Sequence, residues 1–193
     1  MAKPAHHIVF ICSRMDLPGG TEHAIVRTAN LLLSAGYRVS LLILDETDRV
    51  YFDLNKNVQV VSAHLHFGIN AGGNVFTRKL ALWRHTVQLG RMLQNMAPDV
   101  VIATEYHFAA AARFATRKLN SRLYAWEHHH FRELEKSRFW NYLFRKSYPA
   151  LDAVICLNEE EAGFYSAMGA KTVVIPNYIE KQNESGRNHQ TII

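Results

Sequence analysis

The sequence predicts an α/β fold: a doubly wound, mostly parallel sheet flanked by helices. Three observations predict it. Apolar, β-branched runs of strand length recur along the chain, most are followed by an amphipathic stretch of helical length, and glycine or proline stands at the junctions. At 193 residues, 48% hydrophobic and 20% charged, the chain has the balance of a globular domain that buries its own core. A catalytic pair of domains of ordinary size needs on the order of 300 residues or more, so an enzyme that depends on two such lobes is expected to be incomplete here.

The run 8–12 reads as a buried parallel strand, and 15–20, ending in Pro18, Gly19 and Gly20, as its exit loop. From Thr21, apolar residues at 24, 25, 29, 32 and 33 follow helical steps, and Gly36 stands where a helix end needs positive φ. Residues 37–44 and 58–61 read as the second and third strands. After a glycine-containing stretch, 62–74, a long helix is predicted over 74–96. It has two apolar spacings, one through Phe76, Leu80, Trp83 and Val87, the other through Leu89, Met92, Leu93 and Met96. A strand at 98–104 precedes an alanine-rich helix, 108–119, with Arg113, Arg117 and Lys118 toward its end. Then come a strand at 122–127, a helix at 132–148 ended near Pro149, a strand at 153–157, a helix at 159–168 capped by Gly169, and a last strand at 172–175 broken by Pro176. One domain over 1–180 is expected, with 181–193 a disordered tail or the start of a linker.

No apolar run approaches the roughly 18 residues of a membrane span. The lead 1–7 is short and polar, without the apolar core or cleavage site of a secretory signal, so a cytoplasmic protein is expected. Cys12 and Cys156, each in an apolar run, read as buried reduced thiols. The net charge of +5 comes from 22 Lys and Arg against 17 Asp and Glu, with the cations spread along the chain and no recognition module, so nucleic-acid binding is not expected.

In such folds ligands bind where loops converge at the carboxyl ends of the strands. Gly19 and Gly20 let backbone approach a ligand at a helix N-terminus, which favours an anionic or hydroxyl-rich molecule; a tight turn without a ligand is the equal alternative. The loop has neither the dinucleotide G-x-G-x-x-G nor the phosphate-binding G-x-x-x-x-G-K-[ST] spacing. Glu127 and the histidines 128–130 form the densest polar cluster. On extended backbone His128 and His130 would share one side and His129 the other, too few for a zinc site, so no metal is expected. One imidazole there is placed for hydrogen bonding or acid–base work, against the alternative of solvated loop histidines. His64 and His66 read as surface residues, the glycine-rich 68–74 as a flexible loop, and 159–161 as helix-capping acids below Asn158. The predicted helix 132–148 mixes five aromatics with Arg138, Arg145 and Lys146. A core stripe with a solvated basic face is the first reading, and contact with an anionic membrane through Trp140 and Lys146 the second.

Taken together, 8–22, 29–39, 98–102, 126–128, 152–158 and 174–179 resemble the N-terminal domain of the family 4 (group 1) glycosyltransferases, retaining enzymes of the GT-B fold, over about residues 8–180. The resemblance implies one Rossmann-like lobe of two, bearing the acceptor side of a cleft into which a nucleotide sugar bound by the second lobe delivers its sugar. It implies that Gly19 and Gly20 line the cleft, that His128 contacts the transferred sugar and is catalytic, and that Glu127 and Asn177 bind substrate, Asn177 at the handover to the second lobe. It implies no cofactor beyond the nucleotide sugar as co-substrate. The expected partners are a glycan or lipid-linked acceptor of cell-envelope polysaccharide synthesis and a C-terminal lobe or, failing that, a second copy, with peripheral contact at the inner membrane face the alternative noted above. Without the second lobe's paired glutamates, weak binding and poor catalysis are expected. A non-catalytic sugar- or partner-binding module, from a truncated or split enzyme, is the competing reading, and a different nucleotide-cofactor enzyme the least supported.

Overall fold

A computed structural model of the chain describes residues 6–45, 47–67, 75–133 and 137–177. Seven strands form one sheet: β1 (His7–Cys12), β2 (Arg38–Ile43), β3 (Gln59–Ser62), β4 (Val100–Ala103), β5 (Arg122–Trp126), β6 (Ala153–Cys156) and β7 (Thr172–Val174). Every pairing is parallel and the order is β3-β2-β1-β4-β5-β6-β7. The winding reverses between β1 and β4, so the loops leaving those two strands diverge and leave a crevice.

Five helices connect the strands: α1 (Gly20–Ser34), α2 (Val75–Met96), α3 (Tyr106–Ala115), α4 (Arg138–Ser147) and α5 (Glu159–Ala167). Gly36 and Gly169 do adopt positive φ, 89° and 84°, just past the ends of α1 and α5. Alternation along the strands divides the core. Val9, Ile11, Leu42, Val101, Ala103, Leu123, Ala125 and Val154 face α2 to α5. Ile8, Phe10, Val39, Leu41, Ile43 and Ile102 face Ile25, Val26 and Ala29 of α1. Helices on both faces were expected, but the division is four to one. On the α1 side, no helix among the described residues covers the β5–β7 half of the sheet, where Tyr124 and Ile155 are half-buried and Val173 is exposed.

Three expectations need correction. Helix 132–148 is two pieces: a 3-10 turn at Phe131–Glu133, then α4, whose start is set by Ser137, its hydroxyl accepting from the Trp140 N–H at 3.4 Å. Ser137 falls inside an apparently continuous periodic run, and its side chain caps the start of a separate helix there. Trp140, offered for membrane contact, is 5% exposed and packs edge-on against Tyr106 and His107. The cations, spread in sequence, are gathered in space, because α2, α3 and α4 lie side by side on one face. The loop 68–74 and the tail 181–193 lie outside the described residues.

Candidate functional site

The crevice begins with the loop that leaves β1. Met15 is fully buried and forms a parallel bridge with Val50, its carbonyl accepting from the Tyr51 N–H at 2.8 Å. Arg14 forks onto Asp16 through two hydrogen bonds, 2.9 and 3.0 Å. With one anchor in the core and one fork at the rim, the loop delivers Gly19 to the N-cap of α1 in extended conformation, φ −90° and ψ 157°.

Glu22, in the first turn of α1, folds back over Gly19: a Cβ there would stand 2.0 Å from its Oε2. This carboxylate occupies the positive end of the helix, where a phosphate would otherwise sit. The diglycine bend is therefore better suited to hydroxyl groups than to an anion. Nothing stands within 4 Å of where a Cβ of Gly20 would be, so that residue faces open space.

β4 supplies the opposite wall. Thr104, 2% exposed, donates through its hydroxyl to the carbonyl of Ile11 at 3.0 Å, tying the two strand tips together. The next residue, Glu105, is half-buried at the N-cap of α3. Burial pushes its carboxyl above the ordinary range, against a hydrogen bond from Ser13 and the nearby His129 that pull it down, and Glu22 pushes it further up. Two carboxyls, Glu22 and Glu105, thus share the crevice between β1 and β4.

The histidine run after β5 fans out to three surroundings. The ring of His128 lies 4.4 Å from that of Trp126, its Nε2 shielded from solvent without a hydrogen-bond partner. Burial, with some help from His129, lowers its pKa to about 4, so at neutral pH it is an uncharged imidazole. It can accept or donate one hydrogen bond there. His129 lies near Glu105. His130 meets Glu161 at 2.8 Å, whose other oxygen accepts from the Phe131 N–H and whose own N–H donates to Asn158. Glu161 is therefore a capping-region residue that clamps this loop to α5. Among the described residues no three His, Cys, Asp or Glu side chains converge to hold a metal ion.

Glu127 faces the other way. Alternation turns its side chain through the sheet to the α4–α5 side, where it is 4% exposed and accepts a hydrogen bond from the Tyr148 hydroxyl. Asn177 is exposed beyond β7, four strands from β1, a lateral separation on the order of 20 Å. The structure thus brings Gly19, Gly20 and His128 to one end of the sheet, within two strands of each other, and sets Glu127 behind them and Asn177 to the side. Glu105 and Glu22 were not singled out from sequence. The signal for Glu22 was an acid three residues after the N-cap glycine; for Glu105 it was the first charged residue after an apolar strand, at that strand's carboxyl end. Both thiols are buried, and burial raises Cys156 to about 12, so neither is a nucleophile.

The Glycosyltransferase Family 4 model matches residues 18–183. No curated protein gave a significant match. Among solved structures, the chain is similar to the apo form of the lipopolysaccharide outer core galactosyltransferase WaaB, with TM-score 0.71 and 15% identity over 92% of this chain and 47% of that one. It is similar to sucrose-phosphate synthase from Thermosynechococcus elongatus, with TM-score 0.66 and 12% identity over 89% and 48%. Anabaena HepE in complex with UDP gives 0.58 and 14% over 90% and 44%, and a further HepE structure holds UDP-glucose. The chain spans about half the length of these solved proteins, and at such identities the likeness is one of fold: a single Rossmann-like lobe of the GT-B architecture. A match over most of the sequence, on that fold, shows that the chain belongs to Glycosyltransferase Family 4.

Proposed function

We propose that this chain is the acceptor-side lobe of a sugar transferase that moves a hexose from a nucleotide sugar to a hydroxyl of a glycan or lipid-linked acceptor, with a second lobe supplying most donor contacts. The observation that carries the reading is the placement of Gly20, Glu105 and His128 around one crevice at the carboxyl end of the sheet. Open space over Gly20 admits a sugar ring, the carboxyls of Glu105 and Glu22 offer acceptors for its hydroxyls, and neutral His128 offers one shielded hydrogen-bonding nitrogen. In the transfer, the bond from the anomeric carbon to the diphosphate oxygen breaks and a bond to the acceptor oxygen forms. The diphosphate leaves with the electron pair and the acceptor hydroxyl gives up its proton. The chain's part is orientation, which fixes the attacking hydroxyl against the donor carbon. On this reading His128 touches the transferred sugar, Gly19 shapes the bend, and Asn177 belongs to the boundary with the second lobe. Glu127, the residue before His128, takes a positioning role on this reading in place of substrate contact: the Tyr148 hydroxyl holds its carboxyl on the far side of the sheet. A nucleotide-sugar donor is supported by the UDP and UDP-glucose held by HepE, and a cytoplasmic setting is where such donors are found by this reading.

The test is reconstitution. The chain, mixed with or joined to a family 4 C-terminal lobe, is expected to transfer labelled sugar from a UDP-hexose panel to saccharide or lipid-linked acceptors, and His128→Ala to abolish most of that transfer. No transfer across a broad acceptor panel would overturn the reading.

A further inference from the structure

Outside the crevice, a concavity lies on the helical face. A groove of about 970 Å3 runs between α2, α3 and α4, with Leu82, Ala110, Ala111 and Leu143 among its apolar lining. Its width is set where α2 meets α3: a Cβ on Gly90 would stand 3.3 Å from the carbonyl oxygen of Ala115. α2 carries two apolar stripes. Leu89 and Leu93 are buried in the core, whereas Leu80 and Trp83 face outward, 46% and 63% exposed. Phe114, Phe139 and Tyr142 on the neighbouring helices are also exposed. A folded chain gains nothing by leaving five large apolar groups on one face in water unless something covers them.

The charges on this face say what covers it. α2, α3 with the turn after it, and α4 (75–96, 106–118 and 138–147) carry ten of the 22 Lys and Arg and none of the 17 Asp and Glu, so elsewhere 12 cations meet 17 anions, a balance of −5. Lys79, Arg91, Arg117 and Lys118 line the groove, and Arg113 and Lys146 line a smaller hollow beside it; among the described residues no carboxylate lines either. Lys79 lies over the ring of Phe139 at 6.0 Å, a cation and an aromatic side by side at the rim. A second copy docking by the same face would set ten cations against ten. An aliphatic floor suits acyl chains better than the polar edges of nucleotide bases. We propose that the α2–α3–α4 face docks on an anionic lipid surface, with the exposed aromatics entering the interface, acyl chains against the groove and the cations on the headgroups.

Because α2 and α4 begin at the carboxyl end of the parallel sheet, docking sets the candidate crevice beside the bilayer. That consequence rests on the sugar-transfer reading; the docking itself does not, and its test has no sugar in it.

The experiment is co-sedimentation of the full chain with vesicles of phosphatidylcholine alone and of phosphatidylcholine with an equal part of phosphatidylglycerol. Binding is expected to the mixed vesicles, to weaken with salt, and to be near background on the neutral ones. Arg117→Glu with Lys118→Glu is expected to weaken it at least about tenfold. Trp83→Ser with Phe114→Ser, both at exposed positions, is expected to weaken it by a similar factor with the charge unchanged. Lys56→Glu, on an exposed turn next to a segment hydrogen-bonded to Asn30 of α1, across the sheet from these helices, controls for net charge and is expected to leave binding within about twofold. Equal sedimentation with neutral and anionic vesicles, or none with either, overturns the proposal without any variant. So does equal weakening by Lys56→Glu, a dimer in sedimentation velocity that the Trp83 and Phe114 changes dissolve, or binding to single-stranded oligonucleotide in place of vesicles.

Discussion

The Tyr148 hydroxyl donates to the carboxyl of Glu127 in the interior of the sheet's helical face, directly behind the strand tip that presents His128. Tyr148 is fully buried, and burial together with the neighbouring Glu127 raises its pKa well above the ordinary value, so it stays a donor. The pair explains how a carboxyl survives 4% exposed among aromatic rings, with Tyr165 stacked 5.6 Å from Tyr148. It also anchors β5 from below while His128 emerges above.

Removing that donor should be felt in stability first. Tyr148→Phe keeps the ring and takes one hydrogen bond from Glu127, at a cost of about 1–3 kcal/mol. For a chain of this size each kcal/mol is worth about 2–4 °C in Tm. Urea or thermal unfolding would show it, and an unchanged midpoint would mean that the carboxyl is satisfied by other means.

The order of elements was legible because each strand is a short apolar run and each helix a periodic one. Gly36 and Gly169 end helices for the reason their positions suggested. What sequence could not give was depth. Trp83 and Trp140 both sit among basic residues on helices, yet one is 63% and the other 5% exposed, a difference decided by which neighbouring helix lies alongside. Glu127 and His128 are adjacent letters on opposite sides of a sheet, and their roles part accordingly. Glu22 and Glu105 stand 83 positions apart in sequence and become neighbours only because β4 pairs with β1.

The depressed pKa of His128 makes a prediction in pH. The unfolded chain takes up this proton near 6.5, the folded chain only near 4, so between those values the unfolded state holds more protons. The His128 contribution should therefore be lost as pH drops from about 6.5 to about 4, with no further change from this group below. The share owed to His128 is on the order of 1–3 kcal/mol. His7 and His85, also lowered by burial, act in the same direction. His128→Gln should flatten part of the slope in a series of Tm measurements; an unaltered slope would place the titration elsewhere.

The two glycines should respond differently. At Gly20, the first residue of α1, an alanine meets no atom within 4 Å and favours helix, so Gly20→Ala should leave stability unchanged or raise it by about 0.5 kcal/mol. At Gly19 an alanine displaces the Glu22 carboxylate and frees the helix end, at a cost of about 0.5–1 kcal/mol. If the space over Gly20 is where the acceptor sits, Gly20→Ala lowers transfer by the two-lobed enzyme about tenfold through KM while its melting curve stays put. Loss of both together would indicate a structural glycine only.

Glu105 offers the sharpest separation of stability from function. Burial and Glu22 raise its folded pKa above the unfolded 4.5, so the folded state holds more protons between those two values and stability falls as pH rises through that window. At neutral pH the ionised carboxyl is a burden that the Ser13 hydrogen bond and His129 relieve only in part. Glu105→Gln keeps the shape and an oxygen for Ser13 while removing the charge, so it should stabilise the chain by about 1 kcal/mol at neutral pH, a gain that vanishes near pH 4 where the carboxyl is protonated anyway. An acceptor hydroxyl that donates to this carboxylate would then lose a charge-assisted hydrogen bond, and transfer should fall by about tenfold or more. A higher Tm with lower kcat/KM is the expected signature of a group kept ionised for a ligand. A lower Tm at neutral pH would mean instead that Glu105 serves the fold, through Ser13 and the join between the β1 and β4 tips.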